Sequence, residues 1–258
     1  MGKGLKGICK LCGQECDYQD SHIITKCFYP DIKDTSNKYL AVKPNGSYKI
    51  VQSGVYDSSI LCKNCENKTL SKIEGNASKL FLTNEYPPII KEGVDFKGII
   101  YTNEFFDYKT IRQFFVSIIW RASVSTLDDF KDINLGKYEN IAKEIILGKN
   151  VEYPQFFKFF IFRIPDDAKY NKVLFIKRTR FNKASSYELQ MSKYRVNIIV
   201  NPDAFTNDIK DIFNLIFANQ EELFILEHKI FGIENEYNML SSALKWDKDK
   251  IKLIRERK

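Results

Sequence analysis

The apolar positions of this chain change period along its length, and each change marks a different kind of element. Leu70, Ile73, Ala77, Leu80 and Phe81 recur at helical spacing, so a helix is expected there, with Glu66 at or near its start. From Tyr108 to Val124, the residues Ile111, Phe114, Phe115, Ile118, Ile119 and Ala122 predict a helix buried around much of its circumference. Tyr138, Ile141, Ala142, Ile145 and Ile146 repeat at i, i+3, i+4, i+7 and i+8, a second amphipathic helix closed by Gly148. Residues 156–164, 172–177 and 194–200 are dense in aromatic and β-branched side chains and read as strands. Helical spacing returns from Asp208 to Phe217, and the Lys/Arg-rich stretch from Lys245 reads as an exposed helix or tail.

The part before Leu82 differs from all of this. It has few long apolar runs and is broken by turn residues such as Pro44-Asn45-Gly46-Ser47. Asn84-Glu85-Tyr86-Pro87-Pro88 reads as a linker, because each proline disfavours helix in the residue before it. Two parts are therefore expected: a small one, 1–82, and a larger α+β part, 83–258. A unit as small as the first buries too little apolar surface to fold alone and needs a staple.

Composition narrows the class. With 44% hydrophobic and 28% charged residues the chain is globular, not disordered. The densest apolar run, Phe114 to Trp120, is far short of the roughly 20 residues that cross a bilayer. The Met-Gly-Lys-Gly start lacks the apolar core of a signal peptide, so a cytoplasmic protein with no membrane partner is expected. The net charge of +7 attracts nucleic acid, since neutralising phosphates releases condensed counterions. Its weight is small: the chain is rich in Lys, Ile, Asn, Phe and Tyr together, as AT-biased coding alone produces. The lysines are spread along the chain, and no continuous basic stripe is legible in it.

The chemistry concentrates in the cysteines. Cys9-Lys10-Leu11-Cys12 and Cys62-Lys63-Asn64-Cys65 are two knuckles. Each sets two sulfurs about 3.7 Å apart, matching two corners of a tetrahedron with metal–sulfur bonds of about 2.3 Å. Four such thiolates make a structural zinc site. The alternative is a pair of redox dithiols, but thioredoxin-like CxxC sites occur singly in a βαβ setting that is missing from this sequence. Cys16 and Cys27 have no partner at ligand spacing and are expected to be small buried thiols.

Only two histidines occur. His228 ends the apolar run Leu223-Phe224-Ile225-Leu226-Glu227 and is expected to be structural or on the surface. His22, in Asp20-Ser21-His22-Ile23-Ile24, lies between the knuckles, where a neutral imidazole can take a proton from water near neutral pH. Trp120-Arg121 sits on the expected central helix. That arginine either reaches a phosphate or Glu66, or serves the core of its own domain, since a buried guanidinium needs an anionic partner.

The order CxxC, then Ser21-His22-Ile23-Ile24, then Leu61-Cys62-Lys63-Asn64-Cys65-Glu66 resembles the HNH (His-Me finger, ββα-metal) endonucleases. More narrowly, it is similar to a bacterial HNH-like group with an SHII…LCxxCE pattern. The likeness spans Ile8 to about Phe81, and the stretch Phe115 to Ser125 looks like that group too. It implies a small zinc-stapled ββα-metal, treble-clef-like module in front of a larger α+β domain. It implies His22 as the general base, with Ser21 beside it where many members carry an Asp or His metal ligand. Glu66 is implied as a ligand of a catalytic Mg2+ or Mn2+. Glu74, two turns further along the helix, is either a second acidic contributor or an ordinary exposed residue. Asn45 or Gln52 are candidates for the residue that orients the base. The expected function is metal-dependent endonuclease action on DNA, in restriction or defence, with RNA as a possible substrate and a homo-oligomer or accessory protein as a possible partner. The alternative is a catalytically inactive zinc module that binds nucleic acid or a protein.

Overall fold

The computed structural model describes residues 5–30, 38–42, 48–51, 54–83, 85–92, 96–149, 155–164, 173–181, 184–205 and 217–228. The helix expected over Asp208–Phe217 lies outside them apart from Phe217, as do the Pro44–Ser47 turn, Asn45, Gln52 and the tail from Lys245.

The chain is mixed α+β, with two sheets and three α-helices among the described residues. The small sheet holds β1 (Lys6–Ile8), β2 (Glu15–His22) and β5 (Tyr56–Cys62) in the order β1-β2-β5, all antiparallel. The large sheet is assembled from β3 (Tyr39–Val42), β4 (Tyr48–Val51), β6 (Ile89–Glu92), β7 (Phe96–Thr102), β8 (Lys158–Arg163), β9 (Val173–Phe181), β10 (Ala184–Met191), β11 (Tyr194–Ile199) and β12 (Glu222–His228). Its order is β4-β3-β9-β10-β11-β8-β12-β7-β6, with β12 parallel to β8 and β3 parallel to β9. The strands expected over 156–164, 172–177 and 194–200 are β8, β9 and β11; His228 is the last residue of β12.

The helices follow the apolar spacing. The first, α1 (Ser71–Leu82), continues from wide π-type turns over Cys65–Leu70 and buries Ile73, Ala77, Leu80 and Phe81. The second, α2 (Tyr108–Val124), starts at Asp107, whose side chain accepts the backbone N–H of Lys109 and Thr110. It is enclosed on nearly every side, and burying each of Phe114, Phe115 and Ile118 contributes about 1.5–3 kcal/mol. The third, α3 (Glu139–Ile146), ends where Gly148 takes a positive φ of 65° and Gln113 of α2 donates to the carbonyls of Ile145 and Ile146.

One apolar cluster runs through both parts of the chain. It joins Cys9 and Leu11 of the first knuckle and Ile60 of the small sheet to Leu70 and Phe81, then to α2 and to Phe159, Val196 and Ile225 of the large sheet. Phe81 packs edge-on against Tyr194 of β11, whose hydroxyl donates to the Phe81 carbonyl at 3.1 Å. The hairpin β3–β4, which lies between His22 and Tyr56 in sequence, extends the far edge of the large sheet. The composition shift near residue 82 is therefore not a gap in the core.

Candidate functional site

The four knuckle cysteines come together: the Sγ atoms of Cys9, Cys12, Cys62 and Cys65 lie within 4.8 Å of one another, and Cys12 Sγ is 3.9 Å from Cys62 Sγ. Around zinc the tetrahedral edge is about 3.7 Å, so the donor set and its spacing fit that ion. Local backbone shapes the cluster. Gly13, at φ 77°, turns the first knuckle back so that its N–H reaches the Cys9 carbonyl. Lys10 N–H donates to the Ile60 carbonyl of β5, joining the two knuckles across the sheet. The N–H groups of Cys62 and Cys65 point at Cys9 Sγ and Cys62 Sγ, each at 3.4 Å.

Those dipoles favour thiolate. Burial raises the Cys9 thiol, but the N–H groups of Cys12, Cys62 and Leu11 outweigh it and bring its pKa down to about 7. Burial and the neighbouring thiols push Cys65 the other way. Four sulfurs this close ionise together only when a cation neutralises them, which is the condition a metal such as zinc supplies. Cys16 and Cys27 correct the expectation of buried thiols: both are half-buried and packed against the rim of the apolar cluster, where solvent still reaches them.

The same frame grips the end of α2. Lys10, inside the first knuckle, donates from Nζ to the Val124 carbonyl at 2.7 Å, a cation at a helix C-terminus. Asp57 of β5 accepts from Ser125 Oγ at 2.8 Å and Thr126 N–H at 2.7 Å just beyond that helix, and from Ser59 N–H and Oγ. Burial would raise the Asp57 pKa; these donors overcome it and hold the carboxylate below its usual range.

The register of β2 with β5 shifts between Gln19 and Ser21, where the single residue Asp20 faces three residues of β5, Ser58, Ser59 and Ile60. Ser21 turns into the interior and His22 opens outward. His22 lines a cleft of about 760 Å³ with Asp20, Lys26, Tyr29, Tyr56 and Glu74. Its ring centroid is 6.0 Å from that of Tyr29 and 5.8 Å from that of Tyr56. Gly54 makes room for the imidazole, since a Cβ there would sit 2.5 Å from His22 Cδ2 and 2.6 Å from Tyr29 Cζ. Burial, then the charges of Lys26 and Arg121, lower the His22 pKa below the ordinary 6.5; Glu74 and Asp20 act against them. These influences favour the neutral imidazole. Asp20, on the cleft rim, accepts from Ser58 Oγ at 2.6 Å.

The two carboxylates occupy different settings. Glu74 lines the cleft, and its Oε1 accepts from Arg121 Nη2 at 2.8 Å and Thr25 Oγ1 at 2.9 Å. Glu66 lies beside Ser21 and is not among the residues that line the cleft; burial raises its pKa against the pull of Arg121. Ser21 Oγ and Glu66 Oε2 are both buried without a hydrogen-bond partner among the described residues. Arg121 is wholly buried, so it reaches Glu74 and not the open cleft. Among the described residues, the cysteine group is the cluster of three or more His, Cys, Asp or Glu ligand atoms gathered at metal-binding distance. Sequence reasoning missed Tyr29, Tyr56, Lys26 and Gly54; the left-alone glycine two residues before Tyr56 was the one available signal.

Comparison with protein-family models, with curated proteins and with solved structures finds no match. No helix among the described residues is long and apolar enough to cross a membrane.

Proposed function

We propose that this protein is a metal-dependent, HNH-type endonuclease that hydrolyses phosphodiester bonds of DNA. One observation carries the reading: the histidine at the end of β2 opens into a cleft shared with Glu74 of α1, in a chain whose four knuckle cysteines gather at metal-binding distance. β2 pairs antiparallel with β5, and the helical segment begins directly at the second knuckle; that strand–strand–helix order is the one the family resemblance requires.

In this reading His22 removes a proton from the attacking water, which its lowered pKa permits near neutral pH. The zinc-type frame is structural and holds the end of β2 against the helix. Glu66 and Glu74 are the residues that would hold Mg2+ or Mn2+, and the ion would supply charge stabilisation at the scissile phosphate. Buried Glu66 Oε2 and Ser21 Oγ, both lacking a partner among the described residues, are the feature consistent with an ion there. Lys26, on the cleft rim, is placed to attract the substrate phosphate.

Incubating purified protein with supercoiled plasmid and Mg2+ or Mn2+ should give nicked or linear DNA, while His22→Ala should lose this activity and keep its metal content. Equal cleavage by His22→Ala would reject the reading. A second reading is favoured by Glu74 Oε1 being already engaged by Arg121 and Thr25: a silent zinc module that binds nucleic acid or a protein partner. It expects binding without turnover under any divalent ion. Running DNA and RNA side by side separates the two backbones.

A further inference from the structure

We infer that the outer half of β9 is a contact strip for a nucleic-acid backbone, in which Lys177, Arg178 and Arg180 neutralise phosphates. This rests on the nucleic-acid reading above but not on cleavage, and it uses no residue of the His22 cleft. β3 pairs with β9 only at Val173 and Leu174, so beyond them β10 is the strand partner of β9 among the described residues. Among the described residues no strand pairs with the outer edge of Lys177–Phe181, and Lys177, Arg178 and Arg180 are all exposed.

No acid answers these charges from the neighbouring strand. The residues of β10 opposite Lys177, Arg178, Thr179 and Arg180 are Glu188, Tyr187, Ser186 and Ser185. The one carboxylate among them, Glu188, is buried and paired with Arg195 at 3.3 Å. Like charges packed on one strand repel, and a polyanion relieves that repulsion while releasing its own counterions. Strand geometry spreads the cations usefully. Arg178 and Arg180 share one face about 6.8 Å apart, two residues of extended rise, and Lys177 projects on the other face. The support is fixed: Thr179 Oγ1 and Ser186 Oγ are 2.7 Å apart across the pair, and Phe181 packs edge-on against Phe205.

A lipid surface is the poorer fit. Cationic segments that seat on membranes carry an apolar face to bury. Among the described residues the exposed large apolar side chains, Leu5, Ile8, Tyr56, Ile89 and Ile90, lie on or beside β1, β5 and β6 instead.

The test uses the full chain carrying His22→Ala, so that substrate survives, and fluorescence anisotropy with labelled duplex DNA and labelled single-stranded RNA from 50 to 200 mM KCl. Adding K177Q, R178Q and R180Q should weaken binding and flatten the log–log salt slope by about 2.7 on duplex DNA, or about 2.1 on a single strand. For duplex DNA, the affinity gap between the two proteins then narrows about 40-fold across that salt range. K177R with R178K and R180K should retain binding, because charge is what the phosphates read. Arg180→Gln alone, a milder change should the triple variant misfold, should flatten the duplex slope by about 0.9. An unchanged slope in variants with normal circular dichroism and metal content would overturn the strip. So would absence of nucleic-acid binding, or binding to phosphatidylserine vesicles in place of both nucleic acids. Plasmid cleavage by the chain with native His22 is scored separately, so unaltered binding beside His22-dependent cleavage rejects the strip and leaves the nuclease reading standing.

Discussion

Arg121 Nη2 donates to Glu74 Oε1 at 2.8 Å, from a guanidinium that is 0% exposed to a carboxylate that is 19% exposed. The pair joins the middle of the protein to the cleft: Arg121 belongs to α2, Glu74 to α1, and Thr25 hydrogen-bonds both. Its two ends are not equivalent, because only Glu74 has access to water.

That asymmetry predicts unequal costs. Among the described residues, Glu74→Ala leaves the buried guanidinium hydrogen-bonded to the Ser117 carbonyl and the Thr25 hydroxyl, with its paired carboxylate gone, a loss of about 3–5 kcal/mol. Arg121→Met leaves Glu74 able to rehydrate through the cleft and should cost about 1–2 kcal/mol. Urea denaturation of both variants measures the difference, and equal losses would contradict this account.

The cysteine frame predicts coupled loss of metal and stability. Cys62→Ser should release the bound metal, measured by elemental analysis, and lower the thermal midpoint, because binding at such a site is also folding free energy. Cys16→Ser, at a half-buried thiol outside the four-sulfur group, should leave metal content unchanged. Full metal content in the Cys62 variant would remove the frame from the argument.

The proposed role of His22 as general base carries a pH limit. As a base it works in the neutral form, which dominates above its pKa, and that pKa lies below 6.5 because burial and the charges of Lys26 and Arg121 disfavour the imidazolium. The acid limb of the rate profile should therefore fall below pH 6.5. Gly54→Ala should cut activity sharply with metal content intact, since the new methyl meets His22 and Tyr29. An acid limb above 6.5 would show that another group governs the rate.

Asp57 predicts acid sensitivity of the fold. Its folded pKa is depressed below the ordinary 3.8, so its contribution is present above that value and is lost as pH falls through the folded pKa. Asp57→Ala leaves the Thr126 N–H and the Ser125 and Ser59 hydroxyls short of their acceptor, and should cost about 2–4 kcal/mol at pH 7. Denaturation at pH 7 and at pH 3 should show the gap between the two proteins shrinking on acidification.

Some of this was legible residue by residue. Tyr108–Val124 and the helix closed by Gly148 were readable because helical period is local: side chains three and four apart share a face whatever the rest of the chain does. The knuckles were readable for a similar reason, since CxxC spacing alone sets two sulfurs at ligand distance. β10 and β12 were not read, because strands buried on both faces lose the alternation that betrays a half-buried one.

What lay beyond the sequence was every pairing between distant segments. No local pattern says that β3–β4 leaves the cysteine-rich part to edge the large sheet, or that the end of β2 turns Ser21 inward and His22 into the cleft. Nor does any pattern match Arg121 to Glu74 rather than to Glu66 or a phosphate. Spacing along a chain determines which side chains lie together on one element; which element then faces it is decided by packing the whole core at once. The sequence therefore determined the thiol pairs and the helices that carry the acids and the arginine. The tertiary structure alone decided which of those charges meet.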